Sequence, residues 1–112
     1  MTPQAFRRIG LTLPDASEGG HMGHADFRVG GKIFATVGWP DENWAMIKLG
    51  VEAQDVFTQA EPAIFHRLKG AWGRGGATGV RLALIDEITL RSALTAAWRN
   101  TAPKRLVKLF DL

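Results

Sequence analysis

The chain has 112 residues, 46% of them hydrophobic and 22% charged, with a formal net charge of +3; this fits one compact domain and excludes a disordered chain. It contains no cysteine, which excludes disulfides, thiol nucleophiles and thiolate metal sites. No apolar run approaches the roughly 20 residues that span a bilayer, and the opening MTPQAFRRIG lacks the apolar stretch of a secretory signal, so a soluble cytoplasmic protein without membrane attachment is expected.

Thr2-Pro3 is a helix start, a hydroxyl cap followed by proline at the first helical position. Phe6, Ile9 and Leu13 continue at helical spacing, and Pro14 closes the segment. From Ser17 to Leu49 the period drops towards two. DFRV, KIFATV and NWAMIKL read as strands rich in β-branched and aromatic residues, joined by a Gly30-Gly31 turn and a longer Pro40–Asn43 turn. VEAQDVFTQAEP then sets Ala53, Val56, Phe57 and Ala60 on one face of a short helix that Pro62 ends. AIFHRL and TGVRLAL read as two strands flanking the glycine-rich KGAWGRGG. Asp86 caps a last helix whose buried stripe is Leu90, Leu94, Ala97 and Trp98, and which ends between Asn100 and Pro103.

The order is helix, three or four strands, helix, two strands, helix. Parallel crossovers would need helices between successive strands, so the expected fold class is α+β: a single domain over residues 1–112, an antiparallel sheet with helices packed on one face. Residues 103–112 are expected as a basic amphipathic tail, with Leu106, Leu109 and Phe110 at helical spacing. Trp98, Phe27, Phe34 and Phe57 are assigned to the core.

Charge is unevenly placed. Residues 1–61 carry five basic and eight acidic side chains, residues 62–112 nine basic and three acidic. Within the second half, Arg67, Lys69, Arg74 and Arg81 surround the glycine-rich stretch with no carboxylate between them. That stretch is not a nucleotide cradle: Gly73 and Gly75 would demand glycine at position 78, which is Thr78, and a strand follows instead of the helix N-terminus that phosphate binding needs. His21 and His24 in HMGH have the spacing of two metal ligands, but no third is evident, so no metal and no cofactor is assigned. Ser17 and Ser92 sit in no nucleophile elbow, and the carboxylate pairs Asp41-Glu42 and Asp86-Glu87 occupy turns or helix starts. Nothing local argues for an enzyme.

A basic β-hairpin fits the residues better. Arg67, Lys69, Arg74 and Arg81 would form one positive face able to hold phosphates, and Trp72 offers a ring that stacks or wedges, although a cap on the core edge is its more ordinary use. Arg28, Lys32, Lys48, Lys104 and Arg105 add further cations, the first three reading more readily as solvated strand residues than as phosphate contacts.

In order, GHADFRVGGKIFATV, MIKLGVEAQ, GAWGRGG and AWRNTAPKRL resemble the MmcQ/YjbR family of small bacterial proteins over roughly Ala5 to Leu106. The resemblance implies a CyaY-like α+β fold and a non-catalytic, DNA-binding role of low sequence specificity. The chain departs from the family where a second tryptophan follows the glycine-rich loop: here stands Gly76-Ala77-Thr78-Gly79, and Gly79 is expected to loosen its strand. The competing expectation is a protein-interaction module or homodimer that uses the open sheet face or the C-terminal tail. A minor alternative is a small-molecule or metal site near His21 and His24.

Overall fold

The structure, a computed structural model, describes residues 1–21 and 23–110, the side chain of His21 excepted. The chain order is α1 (Pro3–Gly10), β1 (Ser17–His21), β2 (His24–Val29), β3 (Lys32–Val37), β4 (Trp44–Lys48), α2 (Val51–Ala60), β5 (Phe65–Arg67), α3 (Gly70–Arg74), β6 (Ala77–Arg81), α4 (Glu87–Thr101) and α5 (Lys104–Phe110). The strands form one antiparallel sheet of six in the order β1-β2-β3-β4-β6-β5. The fold class is the expected one.

The caps explain where the helices begin. Thr2 accepts from the Ala5 amide at 3.0 Å and Asp86 from the Thr89 amide at 2.7 Å, each satisfying a backbone donor that the first turn leaves free. That bond holds the Asp86 carboxyl below its ordinary pKa, because an amide dipole favours the charged form.

Side chains alternate across the sheet, and odd-numbered positions of β2 to β4 supply the helix side. Phe27, Val29, Ala35, Val37, Ala45 and Ile47 are buried there with Leu90, Leu94 and Trp98 of α4 and Phe6 and Ile9 of α1. Burying one such large side chain stabilises the fold by about 1.5–3 kcal/mol. Trp98 also donates from Nε1 to the Pro14 carbonyl at 2.8 Å, which ties α4 to the loop after α1. Between β2 and β3 the register shifts, Phe27 facing Ala35 but Arg28 facing Ile33. Phe34 is thereby the extra residue of a β-bulge, and the bend buries it although its parity is wrong for the core.

Several expectations need correction. Phe57 is only partly buried, meeting Phe65 edge to face at 5.1 Å. Val56 and Ala60 face solvent, and the inward face of α2 carries Gln54 instead. KGAWGRGG is not a plain hairpin connection but contains α3. Two of its glycines are demanded by packing: a Cβ on Gly73 would lie 1.5 Å from the Leu68 carbonyl oxygen, and one on Gly76 1.7 Å from that of Leu49. β1, SEGGH, not among the strands named from the sequence, is made an edge strand by its pairing with β2.

Candidate functional site

The face of the sheet away from α1 and α4 holds the candidate site. Directly opposed residues of an antiparallel pair share a face, so the registers place Gly19, Asp26, Thr36, Met46, Gly79 and His66 in one row across all six strands. Lys48 opposite Ala77, and Trp44 opposite Arg81, flank that row on the same face.

Two tryptophans rise above it. Trp39 comes from the turn after β3, and Trp72 from α3 at the opposite end of the sheet. Their rings meet edge to face with centroids 5.3 Å apart and planes at 64°, a favoured quadrupolar arrangement. Beneath them lies a cleft of about 350 Å³, floored by Asp26, Thr36 and Met46 and walled by His24, Ile33, Lys48 and the two rings. This is within the size range of small-ligand sites, roughly 300–1,000 Å³. Trp72 remains 49% exposed and outside the core cluster, so it is not the cap on the core edge that was expected.

α3 is held so that Trp72 points this way. Gln54 of α2, fully buried, donates from Nε2 to the carbonyl oxygens of Gly73 at 2.8 Å and Ala77 at 3.1 Å, and sits 3.2 Å from the Thr78 hydroxyl. Thr78 in turn donates to the Gly76 carbonyl at 2.9 Å. A five-residue helix has little stability of its own; these bonds and the tight approaches at Gly73 and Gly76 supply it.

Lys48 is the junction of the site. Besides walling the aromatic cleft, it borders a polar groove of about 450 Å³ with Arg28, Lys32, Asn100 and Thr101, and a smaller depression of about 210 Å³ under Trp72 and Ala71. Asn100 donates from Nδ2 to the Lys48 carbonyl at 3.1 Å, which fixes the backbone at this crossing. Arg28 is aligned by Asp26, which is 1% exposed and accepts from Nε at 2.8 Å and Nη2 at 3.1 Å. The same pairing raises the Arg28 pKa above its ordinary value, since the neighbouring carboxylate favours the cation.

The expected basic hairpin does not assemble. Arg67 faces Thr78, on the helix side of the sheet, and pairs with Asp55 of α2 at 2.6 Å. Arg81 faces Trp44, on the open side, with its guanidinium carbon 5.5 Å from the ring centroid. Lys69 and Arg74 bracket α3 and are exposed. Lys104 and Arg105 open α5; Pro103, just before it, packs against Gly30 of the β2–β3 turn, and Leu109 and Phe110 at the far end of α5 are exposed. Of the cations singled out in the sequence, Arg28, Lys32 and Lys48 are the ones brought together. His24 lines the aromatic cleft, whereas the side chain of His21 lies outside the described residues; no group of three metal-ligating side chains occurs among the described residues. No described helix is long and apolar enough to cross a membrane.

Trp39 and Asp26 are site residues that sequence reasoning missed. The WP pair after a strand and a lone aspartate inside the apolar-alternating HADFRV were the signals available.

The family model described as YjbR matches residues 11–100 of the chain. Among solved structures the chain is similar to the crystal structure of Deinococcus radiodurans protein DR2400, a DUF419 domain. That likeness has a TM-score of 0.73 and 17% sequence identity, over 99% of this chain and 88% of that one. No curated protein matches it.

Proposed function

The chain belongs to the YjbR family, and from that premise we propose that it binds single-stranded nucleic acid on the open face of its sheet, without catalysis. The observation that carries this reading is the position of Lys48, between an aromatic cleft large enough for one base and a polar groove bordered by Arg28 and Lys32. Base rings stack on tryptophan whatever their identity, and cations beside the platform hold the phosphates. A duplex, whose bases are already stacked, offers nothing to the cleft between Trp39 and Trp72. The division of Arg67 and Arg81 between opposite sides of the sheet argues against a basic ribbon laid in a groove.

The test is a titration of intrinsic tryptophan emission with oligothymidylate, with a duplex of equal length beside it. Quenching by the single strand is expected, with three phosphate contacts giving log K a slope of about −2 against log salt. Trp72→Ala should abolish the quenching, and Lys48→Glu should weaken binding at least tenfold. Equal affinity for the duplex, or no single-strand binding at about 10⁻⁴ M, the weak end of non-specific association, overturns the proposal.

A further inference from the structure

The same face carries a second aromatic group outside the cleft. The Trp44 ring lies over Gly79, where an added Cβ would sit 3.3 Å from its Cζ3. The His66 ring meets it edge to face at 5.3 Å, and the Arg81 guanidinium stands 5.5 Å from its centroid. Arg81 is exposed, and its side chain rests against this ring. His66 is turned by a contact of 3.1 Å between Nε2 and the Ala63 carbonyl, so that nitrogen carries the hydrogen in the neutral ring. An aromatic surface with a cation over it and an imidazole at its edge thus sits at the Arg81 end of β4, next to the cleft floor at Met46, while Lys48 occupies the other end.

β4 sets the spacing. Trp44, Met46 and Lys48 alternate on one face, so at about 3.3 Å per residue Trp44 lies about 7 Å from Met46 on the cleft floor and about 13 Å from Lys48. With one base seated between Trp39 and Trp72, Trp44 is left to the next base of the same strand.

Resting on the reading above, we infer that Trp44, with Arg81 and His66, is a second base-stacking subsite, and that the ligand is an oligonucleotide strand spanning both subsites and not a free nucleotide. Stacking on Trp44 supplies the second base platform, and Arg81 takes an adjacent phosphate.

The test compares thymidine monophosphate with oligothymidylates of two, four and six nucleotides by calorimetry. Affinity should rise at least tenfold between the monophosphate and the tetranucleotide. Trp44→Ala and Arg81→Ser should each remove most of that gain and leave monophosphate affinity within twofold. Arg81 is solvent-exposed, so its variant keeps the fold if Trp44→Ala does not, and circular dichroism verifies both. A length gain that survives both substitutions overturns the second subsite while leaving the cleft in place; absence of binding at every length overturns both readings.

Discussion

The Gln54 side-chain amide donates to the Gly73 carbonyl at 2.8 Å, linking α2 to α3 across nineteen positions of sequence. Gln54 is wholly buried, and its Nε2 also serves Ala77, so replacing it removes two hydrogen bonds at once, while the Gly73 and Ala77 carbonyls keep the backbone amides of Gly76 and Leu68. A hydrogen bond of this kind contributes about 0.5–1.5 kcal/mol net. Gln54→Leu should therefore lower unfolding free energy by about 1–3 kcal/mol in urea denaturation. It should also release α3, so that Trp72 emission shifts towards that of solvated indole before the global transition. A Gln54→Leu protein as stable as the parent would show that these bonds do not hold α3.

How much of this was readable in the chain depends on the range of the interaction. β2, β3 and β4 declare themselves through alternation and a Gly-Gly turn, and α1 and α4 through a cap plus apolar residues at helical spacing. All of these are local signals. β1 is glycine-rich and polar, and becomes a strand because β2 offers it a ladder. α3 is hidden by its glycines, and the contacts that sustain it come from Gln54, Leu68 and Leu49. The face to which Arg67 and Arg81 belong could not be counted along the sequence, because a helix between the two strands breaks the period of two. The cleft draws on residues between His24 and Trp72, so it exists only once the registers are known.

Glycines of the chain should separate into two groups on substitution. Gly73→Ala and Gly76→Ala force a Cβ into a backbone carbonyl at 1.5 and 1.7 Å, and neither carbonyl can retreat without breaking its strand or turn. Both proteins should fail to accumulate in folded form. Gly31 has φ +79° and open space around the added carbon, so Gly31→Ala incurs only the left-handed backbone cost of about 1–2 kcal/mol. The folded yield of all three variants, with a thermal melt of Gly31→Ala, decides this; equal losses would refute it.

Gly79 belongs to a third case. It was expected to loosen β6, yet it is paired on both sides, with Met46 and His66 opposite, and covered by the Trp44 ring. An aromatic ring over a strand glycine shields its backbone from water. Gly79→Ala places its Cβ 3.3–3.4 Å from Trp44 and Leu68, so the ring must tilt. The expected result is a changed near-ultraviolet dichroism with less than about 1.5 kcal/mol lost, in the range of mild overpacking. An unaltered tryptophan signal would mean that the ring does not rest there.

The edge-to-face contact of Trp39 and Trp72 should be measurable as coupling. Such pairs contribute about 0.5–1.5 kcal/mol beyond the area they bury. In a double-mutant cycle, Trp39→Ala and Trp72→Ala should be non-additive by that amount in stability, while either alone should already remove ligand-induced quenching. Strict additivity would mean that the rings do not support one another.

Acid should act through the cap of α4. The Thr89 amide holds the Asp86 carboxyl below its ordinary value, so the folded protein keeps the charged form more readily than the unfolded chain does. With the folded pKa depressed, the cap's contribution is fully present above the unfolded value of about 3.9 and is lost as pH falls through the lower folded value. In Asp86→Asn the side-chain amide oxygen still accepts from the Thr89 amide and does not titrate. Midpoint temperatures recorded from pH 6 down to pH 2 should therefore fall more steeply for the parent than for Asp86→Asn, with the gap between them opening only below about pH 4. Parallel curves would assign the acid sensitivity to groups other than this cap.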